Sequence, residues 1–261
     1  MNLEKTLEVV KEVAHKAGAY LKEEQSKLTL SSIELKSARN YVTYIDKEAE
    51  KIIVSELVSK FPDTGFLTEE GTKITEEKEW TWIIDPLDGT TNYVNGDTPY
   101  TVSIALQHNG VTVLGIVYDP AYNEIYCAIA GGEATLNDKP INVSKRDTIE
   151  DAYIGFGIPY VIDARAQGIL KHLPTQYHKC SFRIKGSAAV ELCYVAAGKS
   201  DAYFHSGLSP WDVAAGAFIL EMAGGRVTDY DGAGNFIFGR EIVASNGYIH
   251  KEVMDNIINY N

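Results

Sequence analysis

Three apolar stretches joined by two tight turns constrain this chain more than any other feature. Thr101 to Gln107 alternates in character, His108-Asn109-Gly110 turns, and Val111 to Tyr118 returns. Asp119-Pro120-Ala121-Tyr122-Asn123 turns again into Glu124 to Ala130. An Asn-Gly pair supplies the positive φ that a short hairpin connection needs. Connections this short join only antiparallel neighbours. Gly131-Gly132 and Asn137-Asp138-Lys139-Pro140 punctuate the stretch beyond Ala130. The region from Trp80 to Val143 therefore reads as an antiparallel meander.

Helical periodicity flanks it. Leu3, Leu7, Val10, Ala14, Ala17 and Leu21 fall at steps of four and three, one stripe of an amphipathic helix. The stripe stops after three heptads, which predicts a core-facing helix rather than a coiled coil. A second helix is predicted over about Lys47 to Lys60, with Ala49, Ile52, Ile53 and Leu57 inward and Pro62 ending it. Beyond about residue 150 strands and helices alternate. Strands are predicted at Ala152–Phe156, Ser181–Ile184 and Ala202–His205, and helices at Ala164–Leu173, Ser187–Ala197 and Pro210–Ala223, the last capped by Gly224-Gly225. The fold class this predicts is a layered α+β / α/β sandwich, αβαβα. An antiparallel sheet occupies the N-terminal half and a mixed sheet with alternating helices the C-terminal half. The halves, 1–147 and 148–261, share one interface in a single compact unit, with no low-complexity linker and no internal repeat.

With 45% apolar residues among 261 the chain can bury a substantial core. Its formal charge is −12, from 36 acidic and 24 basic residues, and no basic cluster stands out. That pattern argues against a nucleic-acid partner, whose phosphates demand a basic footprint. An acidic protein that handles an anionic phosphate needs bound cations to invert the local sign. No apolar run approaches a membrane span, and the charged N-terminus reads as helix rather than signal peptide. Cys127, Cys180 and Cys193 are odd in number and lack C-x-x-C spacing, as expected of buried, reduced thiols in a cytoplasmic protein.

The chemistry concentrates in Trp82-Ile83-Ile84-Asp85-Pro86-Leu87-Asp88-Gly89-Thr90-Thr91-Asn92. An apolar strand runs into two carboxylates spaced i, i+3 across a proline, which is expected to stop the strand ladder. A glycine and two hydroxyls come next, leaving backbone N–H groups uncovered near the carboxylates. Cation ligands and phosphate donors thus sit within a few residues of each other. Asp88-Gly89 also suits a plain turn, but a plain turn needs no carboxylate at the end of an apolar strand. Ser209-Pro210-Trp211-Asp212 is a capping box with proline at the first helical position, so Asp212 either caps a helix or points into a cleft. Thr43-Tyr44-Ile45-Asp46 is a second capping box. Glu69-Glu70-Gly71 reads on its own as solvated surface, and Lys36 and Arg39 as surface cations near a loop.

Other motifs fail on inspection. Gly198-Lys199-Ser200 lacks the upstream glycine of a phosphate loop, since that position is Cys193. Gly155-Phe156-Gly157 lacks the last glycine of a dinucleotide fingerprint, where Tyr160 stands. Asp229, Asp231 and Gly234 imitate a calcium loop whose twelfth position is Arg240. The six histidines show no zinc spacing, and no Gly-x-Ser-x-Gly elbow exists.

Taken together, these residues resemble the inositol monophosphatase family of magnesium-dependent phosphatases. The likeness runs from Lys36 to about Asn246. It is anchored by the Trp82–Asn92 motif and by Trp211-Asp212-Val213-Ala214-Ala215-Gly216, and supported by Val42-Thr43-Tyr44-Ile45-Asp46, Glu69-Glu70 and Gly186-Ser187-Ala188-Ala189. The resemblance implies two or three Mg²⁺ per site. Glu69, Asp85 and the Leu87 carbonyl would hold the first, Asp85, Asp88 and Asp212 the second, and Glu69 a third through water. It implies that Thr90, supported by Asp46 and with Glu69, acts on the attacking water. Gly89 and Thr90 N–H groups would receive phosphate oxygens, with Asp88, Gly186, Ser187, Ala188, His205 and Asp212 completing the substrate contacts. A small phosphorylated polyol or sugar as substrate, lithium sensitivity and a homodimer are further implications.

Three positions depart from the family's pattern: Thr68 where many members carry glycine, Asn40 where an aspartate is common, and His205. At His205, seven residues before Asp212, inositol-selective members carry a glutamate that binds substrate hydroxyls. A histidine donates as well as accepts and can be charged near neutral pH, which widens the expected range to a second phosphate or another polyol phosphate. Inositol monophosphate is the leading substrate. Fructose bisphosphate, histidinol phosphate and adenosine bisphosphate are alternatives within the fold, and a non-catalytic regulatory homologue is the alternative outside this chemistry.

Overall fold

The structure, a computed structural model, describes residues 1–27, 33–37, 40–73, 75 and 78–260, with backbone alone over 33–37 and 40–43. The first half contributes α1 (Leu3–Gln25), β1 (Ile33–Ser37), β2 (Asn40–Thr43), α2 (Tyr44–Lys60), β3 (Gly65–Thr68), β4 (Trp80–Asp88) and α3 (Thr90–Val94). Its strands continue through β5 (Thr101–His108), β6 (Val111–Asp119), β7 (Glu124–Ile129), β8 (Thr135–Leu136) and β9 (Lys139–Pro140). The second half contains β10 (Tyr153–Phe156), α4 (Ala164–Gln176), β11 (Ser181–Arg183), α5 (Ala188–Ala196), β12 (Ala202–Ser206) and α6 (Pro210–Met222). It closes with β13 (Arg226–Thr228), β14 (Glu241–Ser245), α7 (His250–Val253) and a π-helical turn, Met254–Ile258.

The expected layering is present. Strands β4 to β9 form the antiparallel meander, and β3 adds to its edge in parallel with β4. The second sheet, in order β11-β10-β12-β14-β13, is mixed: β10 runs parallel to β11 and β12, and β12, β14 and β13 pair antiparallel. Strand alternation divides the side chains between layers. Trp82 and Ile84 of β4 face α1 and α2, while Ile83 faces α5 and α6. On the second sheet Tyr203, Ile242 and Ala244 face α5 and α6, while Phe204 and Val243 face α4 and α7. Helices α5 and α6 are buried almost all round, as helices between two sheets must be. The order is αβαβα.

Two expectations need correction. Pro86 does not stop the ladder: Asp85 pairs with Ser103 and Asp88 with Thr101, and Pro86-Leu87 form a bulge between them. A missing N–H is tolerated at a bulge, and the strand resumes beyond it. The segment between Pro62 and Trp80 showed no strand pattern, yet Gly65–Thr68 pairs in register with Thr81–Ile84. A four-residue edge strand is too short to display a period. All three cysteines are free and buried, and burial pushes Cys127 up to about 12 and Cys180 up to about 11. No helix among the described residues is long and apolar enough to cross a membrane.

Candidate active site

The bulge in β4 places the two aspartates. Asp85 is almost fully buried, and its Oδ1 accepts the Leu87 N–H at 2.9 Å, which folds the bulge over its own carboxylate. Just past the bulge, Asp88 turns toward α5, where its Oδ2 accepts from the Ser187 hydroxyl at 2.6 Å and the Ala189 N–H at 2.7 Å. The strand then leaves through Gly89 at φ +90°, where a Cβ would fall 2.9 Å from the Pro99 carbonyl oxygen. Only glycine fits that turn. Thr90 opens α3 with its hydroxyl donated to the Leu87 carbonyl at 3.0 Å. Asn92 clamps the turn to the second half, donating to the Pro99 and Lys185 carbonyls at 2.8 Å each.

Asp212 arrives from the other direction. In the first turn of α6 its Oδ2 accepts the Ser209 N–H at 2.6 Å, so it caps the helix. It also meets Asp85 and Asp88: one carboxylate oxygen from each of the three lies within 4.8 Å of the others. The two readings of Asp212 hold at once, because one oxygen suffices for the cap. The Ser103 hydroxyl donates to the Trp211 carbonyl at 3.1 Å and pins this helix end to β5.

Glu69 comes directly after β3 and lines the same cavity, about 540 Å³ in volume, with Asp85, Asp88, Asp212 and Leu87. A residue that sequence reading passed over positions it. Glu50, fully buried on α2, accepts from the Thr68 hydroxyl (2.9 Å) and from the N–H groups of Glu70 (2.7 Å) and Thr72 (2.6 Å). The 68–72 turn is thus hung from one carboxylate. The available signal was a glutamate next to the inward position Ala49. Asp46 is buried in the first turn of α2 and is not among the residues lining the cavity. Arg39 lies outside the described residues, and Lys36 is described by its backbone alone.

The electrostatics are those of a site built for cations. Burial first, then Glu69, Asp88 and Asp212, raises Asp85 well above the usual carboxylate range. Asp212 is raised by burial, Asp88 and Glu69, and Asp88 by burial, to about 6 against the donors on its Oδ2. Among the described residues that line the cavity, Arg240 is the one basic side chain, and its guanidinium donates to the Gly207 carbonyl at 3.1 Å. Acidic oxygens gathered in one cavity suit a hard divalent cation such as Mg²⁺.

The rest of the wall includes Gly186 and Ser187 of the loop into α5, Ala188 at its start, and His205, Tyr203, Tyr160 and Glu191. His205 departs from expectation: burial pushes it down to about 4, so it is neutral at pH 7 rather than charged. Glu191, pushed up to about 7 by burial, was not foreseen. It is the one charge within the apolar helix Ala188–Ala196, which is the signal that marks it.

This geometry has close relatives. The sequence model of the inositol monophosphatase family matches residues 2–260. The chain belongs to the inositol monophosphatase family. Among curated members of that family, Nus factor SuhB of Vibrio cholerae is 38% identical over 253 residues, spanning 96% of this chain and 95% of the relative. Inositol-1-monophosphatase of Mesorhizobium japonicum is 38% identical over 250 residues, 95% of this chain and 94% of the relative. Among solved structures of the family, an IMPase of Thermotoga maritima superposes with a TM-score of 0.88 at 35% identity, covering 98% of this chain and 97% of that one. The extragenic suppressor protein SuhB of Bartonella henselae superposes at 0.91 and 36% identity, covering 96% and 97%. The αβαβα layering is the fold of these inositol monophosphatase family structures.

Proposed function

We propose that the protein is a Mg²⁺-dependent hydrolase of small phosphate monoesters, with inositol monophosphate the leading substrate. One observation carries this reading: three carboxylates from two distant chain segments converge in one cavity, where Arg240 is the one basic side chain among the described lining residues. Asp85, Asp88 and Asp212 would hold one Mg²⁺. Glu69, Asp85 and the Leu87 carbonyl would hold another, with Glu69 sharing a third through water. When bound, the ions supply charge neutralisation for the phosphoryl oxygens and activation of the attacking water.

The rest falls to the chain's own groups, and phosphoryl transfer asks chiefly for positioning. Ser187 and Ala189 hold Asp88 through its Oδ2. Thr90 would orient the attacking water and take its proton while passing its own hydroxyl proton to a carboxylate, with Asp46 and Glu69 the supporting acids. The Gly89 and Thr90 N–H groups receive phosphate oxygens at the bulge exit, while Gly186, Ser187, Ala188 and His205 flank the alcohol being released. A neutral His205 serves as a hydrogen-bonding group rather than a cation, which weakens the case for a second phosphate there. Lithium inhibition, a homodimer and cytoplasmic residence belong to the same reading, on the family resemblance.

Phosphate release from a panel of inositol phosphates, fructose 1,6-bisphosphate, histidinol phosphate and adenosine bisphosphate, with and without Mg²⁺, tests the proposal. Turnover is expected only with Mg²⁺, and Asp85→Asn should lose well over tenfold, about 1.4 kcal/mol of barrier for each tenfold. Equal turnover in EDTA would overturn it. A second, regulatory reading draws on the relatives named Nus factor SuhB, and absence of turnover on every substrate favours it.

A further inference from the structure

Among the described residues, the cavity contains one carboxylate with no part in the cation cluster. Glu191 reaches into it from α5, with Oε1 accepting the Lys185 N–H at 2.9 Å. That bond braces the loop that leads to Ser187. Oε2 is different: among the described residues no group donates to it.

The second sheet is shaped around this oxygen. Gly155 on β10 and Gly157 just beyond it lie two apart, hence on one face. A Cβ at Gly155 would strike Glu191 Oε2, and a Cβ at Gly157 would strike the His205 ring. Tyr203 and His205 alternate likewise on β12, with Tyr203 paired to Gly155. Two strand positions are thus bare where the neighbouring polar side chains need room.

His205 cannot serve the substrate as freely as its position suggests. Nδ1 lies 3.0 Å from the Tyr203 hydroxyl, which ties the ring to its own strand. One ring nitrogen of the neutral imidazole is therefore engaged. Among the described residues, Glu191 Oε2 is an acceptor on this wall with capacity to spare.

We propose that Glu191 is a specificity-determining residue: its Oε2 accepts a hydrogen bond from a hydroxyl of a neutral polyol whose phosphate sits at the carboxylate cluster. This rests on the phosphatase reading of the same cavity. Once ionised, above the value of about 7 to which burial lifts it, Glu191 selects against a second phosphate, because like charges facing each other across a binding site oppose association. Arg240, the basic side chain at the rim, is engaged with the Gly207 carbonyl.

The test is steady-state kinetics, at a pH about 1.5 units above the Glu191 value so that its carboxylate is ionised, of the Mg²⁺-loaded wild type, Glu191→Ala and Glu191→Gln. The substrates are inositol 1-phosphate, p-nitrophenyl phosphate, which has no polyol hydroxyl, and fructose 1,6-bisphosphate. In Glu191→Ala the ratio of kcat/KM for inositol 1-phosphate to that for p-nitrophenyl phosphate should fall about tenfold, the worth of one lost bond to a charged acceptor, mostly through KM. Its ratio for the bisphosphate to inositol 1-phosphate should rise. Glu191→Gln keeps an oxygen for the Lys185 N–H and an amide facing the cavity, and should hold the first ratio within about threefold of wild type. Equal losses on all three substrates would reduce Glu191 to a loop brace and overturn the proposal. So would unchanged ratios, or a wild-type preference for the bisphosphate, which would hand the subsite to Arg240. A wild type that hydrolyses none of them overturns the phosphatase reading itself, a result distinct from an active enzyme whose selectivity ignores position 191.

Discussion

At the residue scale the site is a local concentration of unfavourable burial. Asp85, Asp88 and Asp212 are held close by backbone and hydroxyl donors, and each is raised by its surroundings. Without cations such a cluster opposes folding, because buried like charges lack compensation. Asp212→Asn removes one charge and keeps an oxygen for the Ser209 N–H, so the capping contact survives. In EDTA near pH 7.5 this variant should be more stable than wild type by about 0.5–2 kcal/mol, the usual scale when a functional site is neutralised. The stabilisation by millimolar Mg²⁺ expected for wild type should shrink to less than half, since a ligand stabilises only the state it binds. Urea unfolding in EDTA and in Mg²⁺ measures both. A variant less stable than wild type in EDTA would mean that the carboxylates are not in conflict.

At the element scale, legibility in the sequence depends on how far each signal reaches. The α1 stripe is local and came through: Val10, Ala14, Ala17 and Leu21 are fully buried. The meander also came through, because its turns carry their own chemistry. The bulge at Pro86-Leu87 was not visible, since proline predicts a broken ladder and only the pairing with β5 shows it resuming. Glu50 was missed for the same reason: its donors lie 18 to 22 residues away. Of the cavity residues, the Asp85, Asp88 and Asp212 cluster was read from motifs, whereas Glu191 and Tyr160 gain meaning only from the folds of β10 and α5.

The contact between α5 and α6 shows how an element controls the site. A Cβ on Gly216 would fall 2.8 Å from the Ala189 carbonyl oxygen and 2.9 Å from Leu192 Cβ. Alanine normally favours a helix over glycine by about 1 kcal/mol. Here the obstacle is backbone, which cannot rotate away, so overpacking wins. Gly216→Ala should cost about 1–3 kcal/mol net. It should also lower kcat, because α6 carries Asp212 and Ala189 holds Asp88. Denaturant midpoints and turnover measured on the same preparation give both, and an unchanged or raised midpoint would refute the tight-contact account.

At the scale of the whole molecule, the sequence suggests two halves meeting near residue 147, and the core shows why that seam need not be a boundary in folding. One cluster takes Ile83, Ala105 and Val117 from the first sheet, Tyr203, Ile242 and Ala244 from the second, and most of α5 and α6 between them. Neither sheet can cover its inner face without that shared helical layer, so the apolar area that stabilises each half is the same area. The chain should therefore unfold in a single transition, with calorimetric and van't Hoff enthalpies in agreement. Leu192→Ala probes the shared layer: Leu192 is fully buried within it, and the cavity left behind should cost about 2–5 kcal/mol. Because the layer belongs to both sheets, near-ultraviolet circular dichroism and hydrogen exchange of amides in β5 and β14 should shift together. Two resolved transitions, with only the β14 amides following the mutation, would mean that α5 and α6 fold with the second sheet alone and that the active site is assembled by docking two finished parts.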